Sequence, residues 1–395
     1  MSTKNFIFEN FINKKINLKL KKYLKELISS KSEVINSLSR DYKYSYTKKS
    51  IKKYKKYKDI RIFGMGGSSL GAMAIYDFLR HKINKNFYFL TNLNQKIKFP
   101  KKKYLNLVIS KSGNTLETIV NSNLYIKKND KNVLVSDKKG SILREISMKL
   151  KSDIIDHNNF IGGRYSVLSE VGMLPAELMG LDSRKFKKFD NLVANKKFLN
   201  SLIINVSNIL ELIKRKKFNS VILNYDETTE NFLKWYQQLV AESLGKKGNG
   251  IFPIISNMPK DNHSLMQLYL DGQKNNFYTF FYTKDQNYQK LNQDIIPGSL
   301  KFLKKKNLGD ILHSKILATK KVFQKKRLPF RSFFIKSKNS VLLLVCLILS
   351  SRNSIACDSS MSCKSLRRIQ IFCNKSGLIS NSSFLVPERL IFIDG

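Results

Sequence analysis

The sequence predicts an α/β protein built as two three-layer αβα sandwich domains with parallel sheets. Short apolar, strand-like runs alternate with helix-like segments through most of the chain. Two of the first strand-to-helix junctions are loops of small residues, GMGGSSLGA at 64–72 and SKSGNTLET at 110–118. With 395 residues, of which 42% are hydrophobic, there is material for two cores.

Taken in order, residues 1–58 read as a basic helical segment, with apolar positions at helical spacing over 6–28. The run DIRIF (59–63) is a strand, and its loop opens a helix over 69–79. YLNLVI (104–109) is a second strand, followed by a helix from 115 to about 127, and NVLVS (132–136) is a third, followed by a helix over 141–150. Helical stretches around 167–177 and 186–216 come next, and the first domain is expected to span 59–190. SVILN (220–224) starts a second series within an expected domain of 191–338. Its helices are expected at 228–244, 263–269 and near 310–322, and its strands at 252–256, 277–282 and 331–335.

From about Asn339 the character changes. Residues 339–395 hold twelve serines, all four cysteines and only two lysines, after a chain rich in Lys and Tyr. None of the cysteines forms a C-x-x-C pair and no histidine follows His313, so the composition indicates free thiols rather than a metal site. The longest apolar run, VLLLVCLIL at 341–349, is far below the roughly 20 residues a membrane span needs. The first residues lack a signal-peptide core, so a cytoplasmic protein without membrane contact is expected.

The net charge of +43 invites a nucleic-acid reading. The lysines are dispersed in small runs, however, and none is interleaved with aromatics in the manner of an RNA-binding sheet or a stacking groove. They read as a solvated surface that steers anionic substrates, with no specific nucleic acid as partner.

The two loops share one logic. A strand ends, glycines (Gly66, Gly67, Gly113) permit a tight turn, and a helix begins with exposed N–H groups that favour an anion. Ser68, Ser110, Ser112 and Thr115 add hydroxyls suited to a phosphate. Downstream, QLVAESLGK (238–246) places Gln238 one helical turn before Glu242, and NHSLMQLYLDG (262–272) carries His263. A carboxylate that takes and returns a proton, a fixed cation and a phosphate grip are what an aldose–ketose shift requires. Arg164, in GGRYSVLSEVGMLPAEL (162–178), supplies a cation charged at any working pH; it also reads as a structural arginine paired with a carboxylate such as Glu170.

SKSGNTLET resembles the phosphate loop of sugar isomerase (SIS) domains, and the five motifs together, in order over roughly 60–336, resemble the glucose-6-phosphate isomerase family. The resemblance implies two SIS sandwiches and interconversion of glucose 6-phosphate and fructose 6-phosphate through a cis-enediol, without metal or organic cofactor. It implies that Gly67, Ser68, Ser110, Lys111, Ser112 and Thr115 hold the phosphate. Glu242 is implied as the proton-moving base, Arg164 as the group facing the enediolate charge and Gln238 as a lining of the sugar pocket. His263 is implied to assist ring opening from the neighbouring subunit of a homodimer. An isomerase for another phosphosugar, or a catalytically impaired SIS protein that binds a sugar phosphate, are the alternatives.

Two departures stand out. The family's phosphate loop commonly reads S-K-T-F-T-T-x-E-T, and here Asn114 stands where a threonine is usual. The family's terminal helix, with a P-F-D-Q type turn and a ring-opening lysine, has no counterpart after Lys338, and Lys364 lies in unmatched surroundings. A shifted reading frame or a diverged terminal helix accounts for such a tail, with weak or absent turnover and partly retained phosphate binding as the expectation.

Overall fold

The computed structural model describes residues 2–336, apart from 4–5, 10, 12–16, 31, 94–96, 128, 247 and 285–287. The atypical tail over 339–395, with its four cysteines, lies outside the described residues. The α/β class is as expected, with two sheets of mainly parallel strands flanked by helices.

The N-terminal segment departs from its helical expectation. Strands β1 (Ser2–Thr3) and β2 (Phe6–Glu9) precede helix α1 (Leu18–Ile28), whose start is capped by the Asn17 side chain accepting from the Leu20 N–H. Strand β2 runs antiparallel along the strand Phe330–Ile335, and the Phe8 and Phe333 rings lie 4.5 Å apart. Four residues gain little as an isolated helix, whereas an open sheet edge supplies partners for every second backbone group. Two short helices, α2 (Glu33–Asn36) and α3 (Lys48–Ile51), lead to the first sheet.

That sheet is formed by β3 (Asp59–Phe63), β4 (Asn86–Leu90), β5 (Tyr104–Ile109), β6 (Lys131–Ser136) and β7 (Asp153–Asp156), in the order β4-β3-β5-β6-β7, all parallel. Ile60, Ile62, Leu105, Leu107, Val133 and Leu134 are fully buried, because helices α4 (Leu70–Phe78), α5 (Leu116–Tyr125) and α6 (Ile142–Lys149) belong to a sheet covered on both faces. Strands β4 and β7 are not among the expected elements. Both are edges, and in DIID only Ile155 is buried, so no apolar run marks it. Since β3 and β5 are neighbours, the Gly64 and Ser110 loops emerge side by side at the C-terminal edge.

Helices α7 (Glu170–Leu178), α8 (Phe189–Val193) and α9 (Lys196–Lys214) follow. The second sheet then adds β8 (Asn219–Asn224), α10 (Glu230–Leu244), β9 (Phe252–Asn257), α11 (Met266–Asp271), β10 (Asn276–Thr283), α12 (Leu308–Lys325) and β11 (Phe330–Ile335). Its order is β1-β2-β11-β10-β8-β9, parallel from β11 to β9. Tyr278, Phe280 and Phe323 form its aromatic centre, in edge-to-face contact as their ring quadrupoles prefer.

Helix α10 packs on α4, and Asn231 near its start donates to the Asp77 carboxylate near the end of α4, 2.5 Å away. The two helices are therefore antiparallel. The last turn of α10 lies beside the loop that opens α4, so a residue near Leu244 meets the C-terminal edge of the first sheet. Among the described residues no helix is long and apolar enough to cross a membrane.

Candidate active site

The Gly64 loop leaves β3 through a 3-10 turn at Gly66–Ser68. A Cβ on Gly67 would stand 2.6 Å from the Arg164 backbone nitrogen, against the Gly163–Arg164 peptide. Glycine here permits close contact with the chain that carries Arg164. Ser68 ends the turn and is half-buried.

In the Ser110 loop the Ser110 and Thr115 hydroxyls are hydrogen-bonded at 2.9 Å, and the Gly113 N–H donates to Ser110 Oγ at 3.1 Å. Gly113 has φ +67°, and a Cβ there would lie 2.5 Å from Ser141 Cβ, so both conformation and space demand glycine. Thr115 precedes α5 without capping it, because its hydroxyl is turned to Ser110. The first turn of α5 thus keeps side-chain-free N–H groups and its positive dipole end beside these hydroxyls. Ser112 is exposed and accepts from the Asn114 N–H at 3.3 Å. Asn114, the departure from the family pattern, accepts from the Ile142 N–H at 3.0 Å, tying the loop to the start of α6.

Lys111 is half-buried. Burial lowers its ammonium pKa, Asp137 opposes that shift, and Lys139 and Arg164 add repulsion. The repulsion from Arg164 brings the lysine of one loop into the field of the next group.

Arg164 sits in a 3-10 turn at Gly163–Leu168. Its Nη1 donates to Glu242 Oε1 at 2.6 Å, and its Nε donates to Ser243 Oγ at 2.9 Å. Gln238 Nε2 donates to the other Glu242 oxygen at 3.2 Å, as residues one helical turn apart can. The Gln238 Oε1 is buried and has no hydrogen-bond partner among the described residues, leaving an acceptor beside the carboxylate. The Glu242 side chain stays 49% exposed and so remains reachable.

The alternative pairing of Arg164 with Glu170 is not what forms. Glu170 is buried elsewhere and accepts from the Tyr42 hydroxyl at 3.0 Å and the Ser45 N–H at 3.3 Å, with His157 3.5 Å away. His157 is accordingly a core residue.

His263 stands apart. It is exposed, and it follows a 3-10 turn at Lys260–Asn262 instead of opening the expected helix, which starts at Met266. It lies just past the C-terminal end of β9, while Glu242 lies in the last turn of α10, before β9 begins. Within one chain they occupy opposite ends of the second sheet.

The sequence reading missed Ser243, Tyr165 and Trp235. Tyr165 Oη is 2.6 Å from Ser243 Oγ, and Trp235 Nε1 donates to the Arg164 carbonyl at 3.0 Å. The signal was present in the helix period: Trp235, Gln238 and Glu242 recur at spacings of three and four on one face of α10.

The chain is similar to several known proteins. The family profile described as Phosphoglucose isomerase matches residues 32–257. A curated relative from Methanocaldococcus jannaschii, named glucose-6-phosphate isomerase, is 38% identical over 261 residues, covering 62% of this chain and 65% of its own. The chain thus spans just under two thirds of that relative's length. A protein of the same name from Campylobacter jejuni is 32% identical over 289 residues, covering 66% of this chain and 70% of its own. Among solved structures, a hypothetical protein from Thermus thermophilus superposes with TM-score 0.73 at 19% identity, covering 91% of this chain and 94% of its own. A glucose-6-phosphate isomerase from Chlamydia trachomatis gives TM-score 0.66 at 16% identity, covering 94% and 88%. At those identities the structural likeness speaks for the fold alone. The extent of the profile match decides the rest, and the chain belongs to the phosphoglucose isomerase family.

Proposed function

We propose that the protein interconverts glucose 6-phosphate and fructose 6-phosphate as an aldose–ketose isomerase of the cytoplasm. The observation that carries this reading is the Glu242 carboxylate, exposed yet held on both oxygens by Arg164 and Gln238, beside two anion-favouring loops.

In the open-chain aldose, Glu242 takes the C2 proton and the carbonyl oxygen at C1 gains the electron pair, giving a cis-enediolate. Arg164, charged throughout, faces that developing charge. Return of the proton from Glu242 to C1 on the same face, with transfer of the C2 hydroxyl proton to the C1 oxygen, completes the ketose. Ser110, Lys111, Ser112, Thr115 and Ser68, with the Gly67 turn, hold the phosphate, and Gln238 lines the sugar pocket beside Glu242. Each step uses only side chains, with no metal or organic cofactor. His263 assists ring opening from a second copy of the chain, so the working unit is a homodimer; its remoteness from Glu242 within one chain supports this.

The direct test is Glu242→Gln. An isostere that cannot take a proton should lower kcat for fructose 6-phosphate by about 10²–10⁴-fold with KM changed little. Turnover retained in E242Q, or absent in the wild type with each phosphosugar tried, overturns the reading.

A further inference from the structure

An arginine that faces developing charge must be fixed before the charge appears, because preorganisation is what makes such a group effective. Arg164 leads from a glycine-rich turn, and a free arginine side chain carries about 2 kcal/mol of rotamer entropy. Its ion pair with Glu242 cannot alone fix it, since Glu242 is half-exposed and is itself the group that changes protonation in the proposed reaction.

We infer that Ser243 and Tyr165 form a positioning pair that sets the Arg164 guanidinium for the isomerase reaction proposed above. Ser243 is 4% exposed and Tyr165 6%, so both hydroxyls work away from bulk water. Ser243 Oγ accepts from Arg164 Nε at 2.9 Å and is itself hydrogen-bonded to Tyr165 Oη at 2.6 Å. The Tyr165 ring lies beneath the guanidinium, 4.6 Å from its centroid to the central carbon. The arginine is thus held at Nε by a hydroxyl and on one face by an aromatic ring. Its backbone is pinned by Trp235, which donates to the Arg164 carbonyl. Nη1 meets Glu242, and Nη2 has no protein partner among the described residues, leaving its two donors for substrate oxygen. Neighbouring positions on α10 divide the fork, with Glu242 on a terminal nitrogen and Ser243 on Nε. The two hydroxyls act through Arg164.

The test is a kinetic cycle with Ser243→Ala, Tyr165→Phe, Arg164→Ala and the double variant S243A/R164A. Losing a hydrogen bond to a charged group should lower kcat for fructose 6-phosphate about tenfold in S243A and in Y165F, with KM within about twofold. In the R164A background, S243A should cost nothing further, because the residue it positions is gone. Additive losses in the cycle, a KM effect without a kcat effect, or wild-type kinetics overturn the inference. Y165F keeps the ring and its packing, so it carries the test if S243A fails to fold. A second readout needs no turnover: modification of Arg164 by phenylglyoxal, mapped by peptide mass, should speed up several-fold in both variants. An unchanged modification rate sinks the positioning role. A wild type that reacts as expected with phenylglyoxal but turns over no phosphosugar sinks the isomerase reading instead.

Discussion

A mixture of two inactive variants should regain activity if His263 serves a neighbouring subunit. From Glu230 to Glu242 helix α10 advances twelve residues, about 18 Å at 1.5 Å each, back from the edge where β8 ends. Strand β9 then returns over six residues, about 20 Å, before the chain reaches His263. Two groups that share one substrate must approach within about 3 Å of it, so a single chain cannot bring them together. Glu242→Gln and His263→Ala each remove one member. Randomly reassociated two-fold dimers would be about half heterodimers, each with one site intact and the other doubly defective, giving about a quarter of wild-type activity. The assay couples glucose 6-phosphate formation to its dehydrogenase, after mixing under mild denaturant and dilution, with size-exclusion chromatography to confirm the dimer. Recovery near a quarter supports the shared site. Activity equal to the sum of the separate variants, in a sample shown to have exchanged subunits, refutes it.

Other outcomes follow from the same contacts. Gly67→Ala should shift the Arg164 peptide, costing about 1–3 kcal/mol in a packed site and lowering kcat; unchanged denaturation midpoint and kcat would show that the loop yields freely. Lys187 is buried beside the rings of Tyr42 and Tyr44 and donates to the carbonyls of Ser37 and Leu168. Burial pushes its ammonium down to about 7, with Glu170 opposing the shift. In the unfolded chain the lysine keeps its proton to about pH 10.4, so between those values unfolding takes up a proton and wild-type stability rises with pH relative to Lys187→Met. The gain should reach up to about 4 kcal/mol and level off below pH 7, where both states are protonated. Denaturation curves of the two proteins from pH 6 to 10 read this difference, and parallel curves would contradict it.

The buried central strands and the two loops were legible because their chemistry is local. DIRIF and YLNLVI are short runs with apolar residues closed by loops of small residues, as strands are, and a helix that starts after small residues exposes its N–H groups wherever it sits. The pairing of Gln238 with Glu242 was equally readable, since one helical turn sets it. The edge strand β7 was not, because DIID has no apolar period and exists as a strand only where β6 offers it backbone partners.

By itself, then, the sequence carried the α/β class and the two loops, consequences of patterns within about ten residues, while the roles of the candidate site residues came from the resemblance of motifs spread over roughly 60–336. The tertiary structure alone decided three other matters. It made Phe6–Glu9 a strand, because the edge of β11 stood open to it. It chose Glu242 over Glu170 as the partner of Arg164, and it separated His263 from both. It also recruited Ser243 and Tyr165, 78 residues apart, to hold the arginine. Contacts of that kind depend on how α10 crosses α4, and crossing is a property of packed surfaces that no local pattern encodes.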